Sequence, residues 1–199
     1  MQYLSQRLAV ESPETGGEER ARGPAGGGQR QRILVAAERL IAEKGVAATT
    51  IEAIVKRAGV SSVTFYEHFK NKEGCFLAAF DEAAGQLTAE VRSAASAERD
   101  RPERVRAGLA ALLAAIDAEP PRARLCLVEA QKGGPRMRAR YDEAIDAAAA
   151  ELADPLAQGI AGGLAWLLRE RLELGGGGSV QDLLPRMTEV VLSPHPAHG

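Results

Sequence analysis

Five side chains in the segment SSVTFYEHF, residues 61–69, have the types and the spacing to meet a nucleic acid. Phe65 and Phe69 lie four residues apart, so in a short helix they anchor the same face inward. The side chains left to face outward are Ser62, Val63, Thr64, Tyr66 and His68. Hydroxyls, an imidazole and a small apolar group on a surface helix suit the base edges and phosphates of a duplex. The spacing therefore predicts a helix that enters the major groove.

Such a helix needs a sharp turn that fixes its angle to the helix before it. Thr49 followed by Glu52 predicts a capping box at the start of that preceding helix, and Gly59 predicts its end. Ser61 is placed to cap the outward-facing helix, and Val60 to plug the small core between the two. A stop and a start within three residues are typical of a helix-turn-helix.

Apolar residues recur at helical spacing through most of the remaining chain, and no stretch alternates as a strand does. The sequence therefore predicts an all-α fold. Asn71 is expected to cap the fourth helix, which runs from Lys72 to about Ala97. The other predicted helices run from Gln29 to Gly45, Pro102 to Ala118, Pro121 to Val128, Arg136 to Leu152, Pro155 to Leu174 and Val180 to Leu192.

Composition limits the possible classes of protein. The chain has 199 residues, of which 45% are hydrophobic and only 4% aromatic, so aliphatic side chains must fill the core. Residues 29–80 carry eight basic and five acidic side chains, whereas residues 81–199 carry fourteen and eighteen. A basic module joined to an acidic one suits a protein that meets phosphate at one end. Without a signal peptide or an apolar run of about 20 residues, we expect a cytoplasmic protein and no membrane partner.

The sequence offers little for catalysis or metal binding. Cys75 and Cys126 have no paired-cysteine spacing, which favours buried reduced thiols over a disulfide or a zinc site. The three histidines are His68, His195 and His198, and two of them lie in the C-terminal tail. No nucleophile, base and orienting group can be assembled from helical spacing. We expect no enzymatic activity, no metal and no cofactor.

The segment TTIEAIVKRAGVSSVTFYEHFKNKEG, residues 49–74, resembles the DNA-binding segment of the TetR family of regulators. The matching residues are Thr49, Thr50, Ile54, Ala58, Gly59, Val60, Ser61, Thr64, Tyr66, His68, Phe69, Lys72 and Glu73, and the resemblance covers about residues 29–80. Two positions depart from the pattern. Many members carry Gly or a polar residue where this chain has Val63, and an acid where it has Gly74.

The resemblance implies roles for individual residues. Thr50 and Lys72 would contact phosphate, because each stands at a helix N-terminus. Ser62, Val63 and Thr64, following Ser61, would lie nearest the bases, and Tyr66 and His68 would touch the DNA backbone. The resemblance also implies a homodimer on a palindromic operator, with a small-molecule effector in the C-terminal helices.

The expected organisation has four parts. A disordered arm covers residues 1–28, a helix-turn-helix domain 29–75, a helical effector-binding and dimerisation domain 76–193, and a tail 194–199. The mostly aliphatic candidate pocket favours an apolar or amphipathic effector. Its lining residues are Leu87, Val91, Leu109, Leu113, Ile116, Leu127, Met137 and Tyr141. Each of these residues suits plain core as well.

The last two predicted helices carry apolar stripes that suit a four-helix bundle across a two-fold axis. The candidate interface residues are Gly159, Ile160, Gly163, Leu164, Leu167, Leu184, Met187 and Val191. The same stripes suit packing within one protomer. Two alternatives to a ligand-released repressor stay open: a helical ligand- or partner-binding bundle without DNA activity, and an activator on the same fold.

Overall fold

The computed structural model describes residues 25–150, 156–174 and 179–193, which are helical with no strand in these ranges. The predicted all-α fold is therefore confirmed. Most of the predicted arm, the Gly175–Gly178 run and the 194–199 tail lie outside the described residues. The helices are α1 (Ala25–Ala48), α2 (Ile51–Ala58), α3 (Ser62–His68), α4 (Lys72–Ser96), α5 (Arg101–Ala118), α6 (Pro120–Arg124), α7 (Pro135–Ala150), α8 (Ala157–Leu174) and α9 (Leu184–Leu192).

Short segments of other helical types join some of these helices. A π-helical turn, Leu125–Glu129, and a 3₁₀ turn, Ala130–Lys132, follow α6, where the sequence predicted one short helix from Pro121. A 3₁₀ turn at Val180–Leu183 precedes α9, and its cap Ser179 accepts a hydrogen bond from the Gln181 amide at 3.0 Å. None of the described helices is both long and apolar enough to span a bilayer.

The backbone bends near the end of α1. Gly45 has φ 81° and ψ 162°, which an L side chain adopts only with strain, so the predicted break at this residue is confirmed. Residues of helical spacing on α1, including Ile33, Ala37 and Ile41, are fully buried before the bend. The bend directs the chain towards the start of α2.

The predicted capping box of α2 is wrong by one residue. Thr50, not Thr49, is the N-cap, and its side chain accepts a hydrogen bond from the Ala53 amide at 3.2 Å. The Thr49 side chain is buried, and its Oγ1 donates to the Gly45 carbonyl at 2.8 Å. Thr49 thus closes the bend after α1, and α2 begins one residue later than the spacing indicated.

Two apolar cores hold the described helices together. The first core contains residues of α1 to α4, of the turns that follow α6, and of α7, together with Ala115 of α5, and Phe65, Phe76 and Phe80 are among its largest side chains. The second core joins α5, α8 and α9 with Ala123 of α6, and Leu127 packs against both cores. Because α4 runs unbroken across residue 75 and its side chains enter the first core, the predicted domain boundary is not a gap in packing.

Both cysteines lie in or beside the first core. Burial raises the pKa of the Cys75 and Cys126 thiols to about 12, so they stay protonated at neutral pH. A protonated, buried thiol is a poor nucleophile and a poor metal ligand. Their environment agrees with a structural role for both residues.

Candidate nucleic-acid interface

A three-residue turn sets the angle between α2 and α3. Gly59 adopts the left-handed conformation, φ 63° and ψ 43°, and its amide faces the carbonyls of Lys56 and Val55. The Val60 amide also returns to the Val55 carbonyl at 3.1 Å. Ser61 is extended, and its Oγ accepts a hydrogen bond from the Thr64 amide at 3.0 Å. Only Val60 separates the C-cap from the N-cap, as the sequence predicted, and the orientation of α3 is fixed by hydrogen bonds at its start.

The two faces of α3 differ sharply in burial. Phe65 is 0% exposed, and its ring centroid lies 5.6 Å from that of Phe69, which is also buried. On the opposite face Val63 is 71% exposed and Tyr66 is 56% exposed, beside an exposed Ser62. Large apolar or aromatic side chains exposed on a helix that is otherwise anchored in a core mark a surface for a partner.

Two of the predicted contact residues are less accessible than expected. Thr64 is half-buried, and its Oγ1 lies 3.0 Å from Ser61 Oγ. His68 is half-buried as well, and its Nε2 is buried without a hydrogen-bond partner in the described part of the chain. The expectation that both face outward is corrected, because Thr64 packs against the cap Ser61 in the first turn of α3 and His68 lies beside the buried Phe69 at its end.

The predicted phosphate ligands stand at helix N-termini. Thr50 is exposed at the start of α2, where its hydroxyl oxygen caps Ala53 and its proton stays available. Lys72 opens α4, and its Nζ lies 5.6 Å from the centroid of the Phe76 ring. Asn71 caps the same helix by accepting from the Gly74 amide at 2.8 Å, as predicted. A helix N-terminus and a lysine together provide an electropositive site for an anion.

Sequence reasoning did not assign a role to two further basic residues in this region. Lys56 is exposed in the last turn of α2, and Lys70 is exposed in the turn between α3 and α4. The signal available in the sequence was their position inside the same short segment as α3. They add positive charge to the surface that carries α3.

The predicted effector pocket is mostly filled by its own side chains. Leu87 and Met137 lie in the first core, Leu109, Leu113 and Ile116 lie in the second, and Leu127 packs against both. Val91 lies at the tight contact of α4 with α5, where a Cβ on Gly108 would be 3.4 Å from Val91 Cγ1. Tyr141 alone of the eight lines a cleft of about 420 Å³, the α7–α8 cleft. For the other seven residues, core packing replaces the expected lining role.

The α7–α8 cleft has a mixed lining. Its aromatic and aliphatic walls are Tyr141, Ile145 and Trp166, and its polar walls are Gln131, Asp142, Asp146, Gln158 and Arg169. Burial raises the pKa of the Tyr141 phenol, so it remains a hydrogen-bond donor at neutral pH. Arg169 Nη1 donates to Gln131 Oε1 at 2.6 Å, and Gln158 Nε2 donates to Asp146 Oδ1 at 2.7 Å.

The predicted dimer interface divides into buried and exposed residues. Ile160, Leu164, Met187 and Val191 are buried in the second core of the protomer, so they are corrected to core residues. Leu167 and Leu184 are partly buried against the same core. Gly159 and Gly163 are exposed, and a Cβ at either would meet no atom within 4 Å. Exposed residues remain on one side of α8, and we define the exposed α8 face as Gly159, Gly163 and Trp166 together with Leu156 just before the helix.

The caps, the fixed turn and the outward face of α3 together define a helix-turn-helix module. Residues 33–79 match the family model described as bacterial regulatory proteins, tetR family. Over these residues, the chain is similar to the TetR family.

Individual proteins show the same similarity. The transcriptional activator FasR of Mycolicibacterium smegmatis is 29% identical over 119 residues, which are 60% of this chain and 54% of FasR. The match thus spans about half the length of that relative. The solved structure of the fatty acid degradation regulator FadR of Bacillus halodurans superposes with a TM-score of 0.75 at 20% identity, covering 85% of this chain and 97% of that one. The structure of FadR of Bacillus subtilis, solved in complex with stearoyl-CoA, superposes with a TM-score of 0.71 at 18% identity, covering 83% of this chain and 99% of that one. These structures share the fold.

Proposed function

We propose that the protein is a transcriptional regulator that binds duplex operator DNA through α3. The observation that carries the proposal is the contrast on α3 between a buried Phe65 and an exposed Val63 and Tyr66. A short helix held by caps at a fixed angle, with hydroxyl and apolar groups outward, has the shape and chemistry of a major-groove reader. A helical bundle without DNA activity would give no reason for this exposed face.

The contacts divide into those that position the protein and those that choose a sequence. Thr50, Lys72 and the Tyr66 hydroxyl are placed for phosphate, which all DNA sequences share. Ser62 and Val63 are placed for base edges, and the branched apolar group of Val63 suits a thymine methyl. Ser61 and Thr64 mainly hold the first turn of α3, since their hydroxyls bond to each other and to the backbone.

We expect Lys72→Ala to weaken binding to operator and to unrelated duplex by a similar factor. Because a phosphate contact releases about one counterion, the slope of log affinity against log salt should fall by roughly one unit. The measurement is fluorescence anisotropy of a labelled duplex at several salt concentrations. The candidate operator is the DNA upstream of the gene, which is first searched for an inverted repeat, and a scrambled duplex of the same length is the unrelated one.

Arg104→Ala is the matched control for this measurement, because Arg104 is an exposed cation near the start of α5, the end of the bundle remote from α3. It should leave both affinity and slope unchanged. An unaltered slope and affinity for Lys72→Ala would remove Lys72 from the interface. If the unmodified protein bound no duplex at any salt concentration, DNA binding would be contradicted altogether.

A homodimer is the second part of the proposal. The exposed α8 face presents Trp166 at 52% exposed beside two glycines that allow another helix to approach closely. Leu174 at 75% exposed and Val190 of α9 extend the apolar surface. A monomer that exposes so much apolar side chain on neighbouring helices gains from covering it. Two copies would also place two α3 helices on a palindromic site.

The third part of the proposal is control by a small amphipathic effector in the α7–α8 cleft. The cleft volume lies in the range of small-molecule sites, about 300–1,000 Å³. Trp166 and Ile145 suit the apolar body of a ligand. Asp142 and Asp146 outnumber Arg169, so the lining favours a cationic or hydrogen-bond-donating head over the anionic head of stearoyl-CoA, the ligand in the Bacillus subtilis FadR structure.

Trp166 is the only tryptophan of the chain and lines this cleft, so its emission should change when a ligand binds, provided that the protein concentration keeps the oligomeric state constant. We expect octyltrimethylammonium, below its micelle concentration, to change the Trp166 emission saturably and more strongly than stearoyl-CoA does. Asp142→Asn should weaken the ammonium ligand several-fold, since one carboxylate is lost. Added operator should weaken the ligand by the same factor by which the ligand weakens operator. Tight stearoyl-CoA binding that is indifferent to Asp142→Asn would contradict this effector chemistry.

A further inference from the structure

A buried carboxylate joins the C-terminal helices to the bend before α2. Glu129 ends the π-helical turn and is only 4% exposed. Its Oε2 accepts a hydrogen bond from the Val46 amide at 3.2 Å, across 83 residues of sequence. Val46 directly follows Gly45, where the helical backbone is interrupted, so Glu129 satisfies an amide inside the bend.

Gly45 is adapted to this contact in two ways. Its positive φ permits the bend, and its missing side chain makes room for the carboxylate, because a Cβ there would lie 3.2 Å from Glu129 Oε2. The Gly45 carbonyl is in turn held by Thr49 Oγ1. The backbone from Gly45 to the N-cap of α2 is therefore fixed at both ends, and its geometry determines the direction in which α2 leaves α1.

The other carboxylate oxygen leads towards α8. Lys132 Nζ lies 3.3 Å from Glu129 Oε1 and 3.1 Å from Glu173 Oε1 on α8. Arg169 of the α7–α8 cleft lies within 3.9 Å of Glu173, measured from its Nε to Oε2. A chain of charged contacts thus runs from the cleft through Glu173 and Lys132 to Glu129.

We propose that Glu129 is a positioning residue that sets the orientation of the helix-turn-helix, and that its link through Lys132 to Glu173 lets α8 adjust it. This inference rests on the proposed function, since the orientation matters for DNA binding. Two α3 helices must match the spacing of successive major grooves, about 34–36 Å, so a small rotation of α2 and α3 is costly for binding. A buried charge held at the joint also resists partial opening, because it loses its partners when the joint opens.

A merely structural role makes a different prediction. If Glu129 only stabilised the fold, its loss would lower the melting temperature, yet the folded variant would bind operator with unchanged affinity. A positioning role predicts weaker operator binding by a protein that is folded at the temperature of the assay. The Gln variant separates the two further, because its amide oxygen can still accept from Val46.

The experiment compares Glu129→Met, Glu129→Gln and the unmodified protein. We expect Glu129→Met to raise the operator dissociation constant about 10- to 100-fold, the equivalent of a lost hydrogen bond to a charged group. The salt slope should stay unchanged, because no phosphate contact is removed. Hydrogen exchange at the Val46 amide should accelerate at least about tenfold. Glu129→Gln should restore operator affinity and Val46 protection to within a few-fold.

Glu143→Met is the matched control, since Glu143 is an exposed glutamate of α7 paired with Arg140. This variant should change neither the operator dissociation constant nor the hydrogen exchange at the Val46 amide. Operator affinity of folded Glu129→Met equal to that of the unmodified protein would overturn the proposal, and so would unchanged exchange at Val46.

A second measurement needs no variant, in case Glu129→Met does not fold. Operator added to the unmodified protein should slow exchange at Val46 more than at Leu113, which lies in the second core. Equal slowing at the two amides would overturn the positioning role. Failure of the unmodified protein to bind any duplex would instead contradict the proposed function, while the Val46 exchange of the Glu129 variants would still test the contact itself.

Discussion

Replacing Gly159 and Gly163 with glutamate should convert the protein to a folded monomer that has lost specific operator binding. Both glycines are exposed on α8 with open space at the Cβ position, so the protomer accommodates the new side chains. Glycine disfavours a helix by about 1 kcal/mol relative to alanine, and α8 should be no less stable in the variant. Across a two-fold axis, however, four carboxylates would face each other where close packing was available.

Operator affinity should then fall by about 10³-fold, to the level of non-specific binding, because one recognition helix makes half of the contacts. Sedimentation velocity measures the oligomeric state, and anisotropy measures the affinity. Gly85→Glu is the matched control, since Gly85 is an exposed glycine of α4 with nothing within 4 Å of its Cβ position. An intact dimer in the double variant would place the interface away from the exposed α8 face. The buried Leu164 is unsuitable for this test, because a charge there disrupts the second core.

Phe65→Ala and Tyr66→Ala should have very different effects on stability although the residues are neighbours. Phe65 is fully buried beside Phe69, so its truncation should lower the free energy of unfolding by about 3–5 kcal/mol. Tyr66 is mostly exposed, so its truncation should cost less than about 1 kcal/mol of stability. Operator binding by the folded protein should fall in both variants, in Phe65→Ala because α3 loses its anchor and in Tyr66→Ala because an exposed contact side chain is removed.

Urea unfolding followed by circular dichroism measures the free energy of unfolding, and anisotropy measures operator affinity. Tyr66→Phe refines the result, because only the hydroxyl is removed. If the two alanine variants had equal unfolding midpoints, α3 would not be anchored as its burial pattern indicates. If Tyr66→Ala bound operator normally, the exposed ring would have no contact with DNA.

The recognition module was predictable because its signals are local. A left-handed glycine, an extended serine that caps, and two phenylalanines four apart are each set by neighbours within a few residues. The caps at Ser61 and Asn71 are confirmed for this reason. Thr49 and Thr50 show the limit, because both have the chemistry of an N-cap and only the bend at Gly45 decides between them.

The C-terminal helices were predictable as helices but not in their partners. The spacing of Ile160 and Leu164 indicates that one face of α8 is apolar. An apolar face packs equally well on its own protomer or on another. The distribution of volume across all helices decides this choice, and no short window of sequence contains it. Glu129 gave no signal at all, since a single glutamate in a short helix usually indicates a solvated surface.

The π-helical turn at Leu125–Glu129 has a consequence for how this protein can change over generations. Such a turn accommodates one residue more than an α-helix over the same length. Each residue of an α-helix advances the side-chain direction by about 100°, so loss of a single residue here would point the carboxylate of Glu129 away from the Val46 amide. A one-codon deletion, with every side chain of the recognition helix unaltered, would uncouple the two ends of the molecule. The length of this turn is therefore as much a determinant of regulation as the identity of any residue in it.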